Sequence, residues 1–250
     1  MSNQRFFIEL AYEGTAYSGW QRQPNALSVQ EKIEQQLQKL LSGESVSIAG
    51  CGRTDTGVHA HFFVAHVDLP LSVNPDQLMY KLNKMLPDDI AIQRIYAVTN
   101  ELHARFSATL RTYRYFVHQK KDAFARNSLY FPGELDVERM NAAAERLLGK
   151  QDFTSLSKLH TDVKTNICTV YTAKWVKQPD GTLYFEIAAD RFLRNMVRAT
   201  VGTLLEAGTG KLSPEDVTNI LAAKDRGAAK VSVPACGLFL WDVRYETIDQ

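Results

Sequence analysis

Residues 45–69 read SVSIAGCGRTDTGVHAHFFVAHVDL. A short β-favouring segment at about 45–51 leads into the hexapeptide Gly52-Arg53-Thr54-Asp55-Thr56-Gly57, and the following stretch from His59 to Leu69 alternates and is rich in Phe and Val. Gly52 and Gly57 permit positive φ angles and a close approach of other backbone. The stretch therefore predicts two strands joined by a short, rigid loop that carries Asp55.

The elements around this loop complete a recognisable pattern. They are a strand at 5–12, a helix that Ser28 and Glu31 cap and that ends near Gly43, the two strands beside Asp55, a helix from Asn74-Pro75 through Leu86, and a strand at 90–98. The order βαββαβ is the split βαβ pattern of a ferredoxin-like sheet with helices on one face.

The second half of the chain repeats this theme with longer connections. Its predicted elements are a strand at 108–119, a helix at 137–149, strands at 167–177 and 182–190 around Pro179-Asp180-Gly181, a helix at 193–207, a short helix from Ser213-Pro214 and a strand at 238–245. We expect an α+β fold of two ferredoxin-like halves, with a continuous, mostly antiparallel sheet, helices on one face and a catalytic cleft between the halves. The expected domains are 1–105, with the Asp55 loop, and 106–250.

Composition excludes several classes of protein. Hydrophobic residues make up 45% of the 250 residues and charged residues 23%, which is ordinary for a globular protein and argues against global disorder. No apolar run approaches the roughly 20 residues of a membrane helix, and the first residues lack the form of a secretory signal, so a cytoplasmic location is expected. The three cysteines are far apart, which favours reduced thiols over a disulfide framework or a zinc ribbon.

Charge is distributed unevenly along the chain. The net charge is only +1, yet the segment from Arg105 to Arg126 holds six cationic residues against one acid, Asp122. Such a basic strip on a nearly neutral molecule favours selective contact with a polyanion. The alternative is an ordinary solvated surface.

Asp55 and Tyr113 are the first two candidates for chemistry. The glycine-flanked loop can hold the Asp55 carboxylate rigidly at a surface, or Asp55 can simply bond its own backbone in a turn. Alternation along the strand around Tyr113 places Arg111, Tyr113 and Tyr115 on one face and Thr112, Arg114 and Phe116 on the other. Cations interleaved with aromatics suit a stacking surface for unpaired bases, although a half-buried aromatic strand has the same pattern.

Arg198 is the third candidate. The predicted helix places Arg191, Arg194 and Arg198 on one stripe at spacings of three and four residues. Arg198 borders the apolar face, where an arginine needs a carboxylate or phosphate partner. A solvated flank of an amphipathic helix is the alternative, and it fits Arg194 better than Arg198.

No motif for a cofactor or a metal is found. His59 and His61 point the same way on a strand, but no third ligand has a recognisable spacing from them. The sequence also lacks a Walker loop, a dinucleotide fingerprint and a nucleophile elbow. We therefore expect neither a metal nor a cofactor.

Several ordered motifs together resemble the tRNA pseudouridine synthase A family over nearly the whole chain. They are Tyr12-Glu13-Gly14-Thr15-x-Tyr17-x-Gly19-Trp20-Gln21, Gly52-Arg53-Thr54-Asp55-x-Gly57-Val58-His59, Phe106-Ser107-Ala108, Tyr113-Arg114-Tyr115, Asp152-Phe153-Thr154-Ser155, Phe192-Leu193-x-x-Met196-Val197-Arg198 and Gly237-Leu238. Each motif is weak alone, but their order is specific. Thr56, where Ala or Ser is usual, and Arg191, where a small residue is common, depart from the family pattern.

The resemblance implies a role for each candidate. Asp55 is the expected catalytic aspartate, Tyr113 the aromatic residue against the target base, and Arg198 the basic partner of Asp55. Arg53 is expected to take the place of the flipped nucleotide, and Leu238 to form an apolar wall of the pocket. The family acts on uridines at positions 38 to 40 of the tRNA anticodon stem-loop and works as a homodimer, so tRNA and a second copy are the expected partners.

Two other functions are compatible with parts of the same sequence. A non-catalytic tRNA-binding or tRNA-folding protein on the same scaffold would use the basic strip and the aromatics, with Asp55 only shaping a turn. A metal-dependent RNA hydrolase would use Asp55 with His59 and His61, and would cleave strands in a chelator-sensitive manner.

Overall fold

A computed structural model of the protein describes residues 3–158 and 164–246. The chain forms two compact units, unit 1 being Met1–Thr109 with Leu240–Gln250 and unit 2 being Leu110–Phe239. These units are compact parts of the chain and do not by themselves establish domains. The expected domain boundary after residue 105 therefore stays a prediction.

Unit 1 contains the predicted βαββαβ order. Its elements are β1 (Asn3–Tyr12), α1 (Val29–Leu40), β2 (Ala49–Gly50), β3 (His59–Pro70), α2 (Pro75–Met85) and β4 (Ile90–Val98). Strand β1 is central and pairs antiparallel with both β3 and β4, while β2 pairs with β3. The predicted strand at 45–51 is thus only two residues long.

The sequence features that start the two helices of unit 1 act as expected. The Ser28 side chain accepts a hydrogen bond from the Glu31 N–H, and Asn74 caps α2 in the same way through the Gln77 N–H. Helices α1 and α2 contact each other, so they lie on one face of the sheet. Residues on both faces of β1 are buried, since consecutive side chains from Phe6 to Ile8 are at most 5% exposed.

Unit 2 is also α+β. Its elements are β5 (Ala108–His118), β6 (Leu129–Tyr130), α3 (Val137–Ala144), β7 (Gly149–Asp152), β8 (Ile167–Lys177), β9 (Leu183–Ala189), α4 (Met196–Gly208) and α5 (Pro214–Ala223), and the last strand of the chain is β10 (Leu238–Tyr245). The strands of unit 2 run in the order β5-β9-β8-β7, with each neighbouring pair antiparallel. Residues 240–245 of β10 lie beside β3 in unit 1. The mixed α+β class with mostly antiparallel strands is confirmed.

Two predicted helices have the wrong extent. The helix predicted over 137–149 ends at Ala144, because a 3-10 turn and then β7 follow, with Gly149 at φ 89°. The helix predicted from 193 begins only at Met196, because Asn195 has a left-handed backbone with φ 66°. No helix in the described residues has the length and apolar character needed to cross a bilayer.

Candidate active site

The Asp55 loop joins β2 to β3 in unit 1 and is held by its own turn. The Val58 N–H donates to the Asp55 carbonyl at 3.1 Å, and the Gly57 N–H donates to the Tyr17 carbonyl at 3.2 Å. Gly57 has φ 76°, the left-handed conformation that such a tight turn requires. Asp55 is half-buried and its neighbours Arg53 and Thr56 are exposed, so the loop presents a fixed carboxylate near the surface.

Thr54 fastens this loop to the interior of unit 1. Its hydroxyl accepts a hydrogen bond from the Trp20 N–H at 3.1 Å and shares another with the Tyr12 hydroxyl at 2.9 Å. The Trp20 ring stacks on Phe63 of β3 with centroids 4.1 Å apart. Because these groups are buried, the residue next to Asp55 is fixed on two sides.

Two glycines let the segment 14–20 approach the loop closely. A Cβ on Gly19 would lie 2.1 Å from the Thr54 carbonyl oxygen, and a Cβ on Gly14 would lie 2.0 Å from the Val58 carbonyl oxygen. No other residue type fits at such distances from rigid backbone. The motif around Tyr12 and Trp20 is therefore the support of the Asp55 loop, a role that we did not predict for Thr54 or Gly19 from the sequence.

His59 and His61 have different environments. His59 is fully buried, and its Nδ1 accepts a hydrogen bond from the Gly14 N–H at 3.0 Å. His61 is exposed and stacks on Trp241 with centroids 4.1 Å apart. His59 therefore helps to fix the segment before Tyr17. Within 3–158 and 164–246, no cluster of three or more His, Cys, Asp or Glu side chains could hold a metal ion.

Tyr113 lies in the middle of β5 in unit 2. Its ring meets Phe192 edge to face, with centroids 5.0 Å apart, and is half-buried. On the same side of the strand, an Arg111 guanidinium N–H donates to the Asp190 carbonyl at 3.0 Å, and the buried Tyr115 hydroxyl donates to the Pro234 carbonyl at 2.8 Å. On this side of β5, the Tyr113 ring is thus partly accessible to solvent, whereas Tyr115 is buried.

On the opposite side of β5, the cation Arg114 is already paired. Arg114 forms an ion pair with Glu186 at 2.7 Å, and its guanidinium lies over the Tyr184 ring at 4.7 Å. Phe116 packs against Tyr184 and Phe239. Arg114 therefore belongs to a paired cluster on the sheet, which weakens the prediction that this face of β5 is an open stacking surface for bases.

Arg198 lies in the first turn of α4 and is half-buried. Its Nε–H donates to the Val233 carbonyl at 2.7 Å, while the Val233 N–H donates to the Arg198 carbonyl at 3.2 Å. One turn later, a Cβ on Gly202 would lie 2.0 Å from the Val231 carbonyl oxygen. The segment 231–233 is thus packed directly on α4 and holds the Arg198 guanidinium in place.

The expected stripe of three arginines is wrong. Arg191 and Arg194 precede α4, so helical spacing does not relate them to Arg198. Arg191 is half-buried and its backbone N–H donates to the Asp190 carboxylate at 2.7 Å, whereas Arg194 is exposed. The left-handed Asn195 separates both arginines from the helix.

Tyr115 and Cys236 lie close to Arg198. Burial raises the pKa of the Tyr115 phenol, and the charge of Arg198 opposes this shift. Burial likewise raises the pKa of the Cys236 thiol, with Arg198 again acting in the opposite direction. Both groups stay neutral near pH 7, so neither of them neutralises the positive charge of Arg198.

Leu238 is 6% exposed and follows Gly237, at which a Cβ would lie 2.9 Å from the Tyr115 ring. Strand β5, the start of α4 and the segment 231–238 therefore pack together in unit 2 and carry Tyr113, Arg198 and Leu238. Asp55 and Arg53 belong to the loop in unit 1.

Comparison with known proteins assigns the family. A family described as tRNA pseudouridine synthase matches residues 10–107 and 143–246. A tRNA pseudouridine synthase A of Parabacteroides distasonis is 51% identical over 97% of this chain and 96% of its own. Proteins of the same description are 49% identical in Bacteroides fragilis, over 98% of both chains, and 43% identical in Bacillus subtilis, over 97% of this chain and 99% of the other. The chain therefore belongs to the tRNA pseudouridine synthase family, whose members are isomerases.

Proposed function

We propose that the protein isomerises uridine to pseudouridine at positions 38 to 40 of the tRNA anticodon stem-loop, with Asp55 as the catalytic carboxylate. The observation that carries the proposal is the clamped Asp55 loop, in which Thr54 is fixed by Tyr12 and Trp20. A turn aspartate without a chemical role would not need two glycines and a buried hydroxyl to hold its neighbours. Pre-organisation of this kind is what a reacting group requires.

The chemistry needs only a carboxylate. Isomerisation breaks the bond between C1′ and N1, turns the base and joins C1′ to C5. The C5 proton is lost and N1 gains a proton, so there is no net redox change and no group to carry away. Asp55 either attacks C1′ covalently or removes a sugar proton to give a glycal. Both routes begin from the ionised carboxylate, and neither needs a cofactor.

Tyr113 and Arg198 complete the proposed machinery. In this proposal the Tyr113 ring packs against the target base, and the Arg198 guanidinium acts as the basic partner of Asp55. The hydrogen bond from Arg198 to Val233 uses its Nε–H, which leaves the terminal nitrogens for a carboxylate.

In this proposal, Arg53 and Leu238 stabilise the RNA after the target nucleotide has left its stack. The base must leave its stack, which costs a few kcal/mol. Arg53, exposed beside Asp55, is suited to take its place against the RNA backbone, and the apolar Leu238 side chain to form a wall of the pocket. We place the reaction in the cytoplasm, where tRNA is used, and assign it to a homodimer.

Product mapping on tRNA tests the function directly. The purified protein is incubated with unmodified tRNA without additives, and carbodiimide-dependent primer-extension stops are mapped. We expect stops at positions 38 to 40 that persist in the presence of a chelator. A protein that only binds or folds tRNA gives no stops, and a metal-dependent hydrolase gives strand cleavage that the chelator abolishes.

A further inference from the structure

Residues 119–128, which we name the Phe124 loop, join β5 to β6 in unit 2. Phe124 is 93% exposed at its tip. Lys120, Lys121 and Arg126 are all exposed around it. Of the basic strip that the sequence indicated, Arg114 is paired with Glu186 on the sheet, whereas these three cations of the loop are presented to solvent around an exposed aromatic ring.

The base of the Phe124 loop is firmly tied. The His118 Nδ1 and the Ser128 hydroxyl are 2.6 Å apart, and the His118 ring stacks on Tyr130 with centroids 5.4 Å apart. The Phe131 N–H donates to the His118 carbonyl at 2.9 Å, and the Gln119 side chain donates to the Gly133 carbonyl at 2.6 Å. The two ends of the loop are therefore fixed in unit 2.

The tip is ordered as well. The Phe124 N–H donates to the Asp122 carboxylate at 2.8 Å, and the Arg126 N–H donates to the Phe124 carbonyl at 2.9 Å. The one acid of the loop is thus engaged in shaping the turn, while three cations surround it. Burial of a Phe side chain is favourable, so an ordered tip that leaves this ring exposed suits contact with a partner.

We propose that the Phe124 loop is a second RNA contact, in which Phe124 stacks on an unpaired base of the tRNA substrate while Lys120, Lys121 and Arg126 meet its phosphates. This inference rests on the proposed tRNA substrate. An aromatic ring among cations is the combination that single-stranded RNA favours, since every base offers a stacking face and every phosphate a negative charge. The surplus of positive charge in the loop disfavours a basic partner.

This contact is separate from the target nucleotide. Tyr113 lies five residues before the end of β5, and a strand rises about 3.3 Å per residue, so the loop begins roughly 17 Å from Tyr113. In this proposal, Phe124 therefore contacts a different part of the tRNA from the uridine that reacts. Its loss affects the affinity for tRNA and leaves the reacting groups in place.

Binding measurements in the Asp55→Asn background, in which turnover is blocked, test the proposal. Phe124→Ala is expected to weaken binding of unmodified tRNA roughly 5- to 150-fold, the value of about 1–3 kcal/mol for one stacked base, with an unchanged salt dependence. Phe124→Trp restores the affinity. Replacing Lys120 and Lys121 by Ala lowers the magnitude of the slope of log K against log salt by about 1.4 to 1.8, because two phosphate contacts are lost.

Tyr80→Ala is the matched control, because Tyr80 is a 64% exposed aromatic beside Lys84 but lies on α2 in unit 1. Unchanged affinity in Phe124→Ala, or equal losses in both variants, overturns the proposal. A lower sedimenting mass of Phe124→Ala without tRNA also overturns it, since the loop would then bind a second copy. Pseudouridine formation by the wild-type protein is measured in parallel, so that failure of the proposed function is recognised separately.

Discussion

At the scale of single residues, the neighbours Thr54 and Asp55 have different roles: Thr54 anchors the loop, and Asp55 is the candidate for chemistry. Thr54 is buried and its hydroxyl has two partners, whereas Asp55 is half-buried at the surface of the same loop. The resemblance to a known family pointed to Asp55, but nothing in the sequence alone distinguished Thr54 from an ordinary loop threonine. Its role depends on Tyr12 and Trp20, which are more than 30 residues away along the chain.

Thr54→Val tests this division. The variant leaves the buried Trp20 N–H without its acceptor, which costs about 1–3 kcal/mol of the free energy of unfolding. Because Asp55 then loses its fixed neighbour, we expect kcat to fall roughly 10- to 100-fold, with KM for tRNA little changed. Denaturant titration and steady-state kinetics check both effects. Thr54→Ser keeps the hydroxyl and should restore kcat; equal loss in both variants would contradict the account.

Tyr113 gives a second test at this scale. If its ring stacks on the target base, Tyr113→Phe keeps the contact and Tyr113→Ala removes it. The expected difference in kcat/KM between these two variants is roughly 5- to 150-fold, from about 1–3 kcal/mol per stacked base. Pseudouridine formation in unmodified tRNA is the measurement. Equal kcat/KM values in the two variants would show that the ring does not carry the contact.

At the scale of elements, the long strands were predicted more accurately than the short ones, since β6 and β7 were not predicted. Strands β4 and β10 have the predicted bounds, because alternation and turn residues mark both of their ends. The start of α4 was missed, because the apolar pattern of 192–197 continues through Asn195, and only the backbone shows that Asn195 is left-handed. Asn tolerates this conformation better than most residues, but its identity alone does not require it.

The Asp55 loop and its supporting segment form one element, which Gly19→Ala tests. Gly19 has φ 88°, and its added Cβ would lie 2.1 Å from the Thr54 carbonyl oxygen, so the loop must shift and pseudouridine formation should be lost. Gly43→Ala is the control, because Gly43 has φ 91° with nothing within 4 Å of an added Cβ. In both variants the alanine must adopt a left-handed backbone conformation, which lowers the free energy of unfolding by about 1–2 kcal/mol. Retained activity in Gly19→Ala would contradict the supporting role.

Strand β3 and the segment after β4 are joined by a pH-sensitive contact. The His66 Nδ1 accepts a hydrogen bond from the Ala104 N–H at 3.1 Å. Burial, helped by the charges of Arg5 and His103, lowers the pKa of His66 to about 4, from an ordinary value of 6.5. The unfolded chain therefore binds more protons than the folded one between these values, so stability is lost as the pH falls below 6.5.

We expect the free energy of unfolding to fall by about 2 kcal/mol between pH 7 and pH 5 from this residue, at about 1.4 kcal/mol per pKa unit. His66→Asn keeps an acceptor for the Ala104 N–H but cannot be protonated in this range. Its stability should change less over the same interval. Denaturant titrations of both proteins at several pH values give the comparison, and parallel profiles would exclude His66 as the cause.

At the scale of the whole molecule, the sequence predicted the α+β class and the element order of unit 1, and in the described part of unit 2 it missed only the short strands β6 and β7. These predictions were possible because hydrophobic periodicity and turn residues are local signals. It did not predict how unit 2 gathers its candidates, since Arg198 is fixed by Val233 and Tyr115 by Pro234, contacts that join distant segments. Such contacts follow from packing, for which local patterns carry no signal.

The proposed isomerisation depends above all on the Asp55 carboxylate. Tritium release from tRNA labelled at C5 of uridine measures it directly, because joining C1′ to C5 expels that hydrogen. We predict release with the wild-type protein and none with Asp55→Asn, while Asp55→Asn still binds the tRNA with near wild-type affinity. Release at the normal rate from Asp55→Asn would contradict the account.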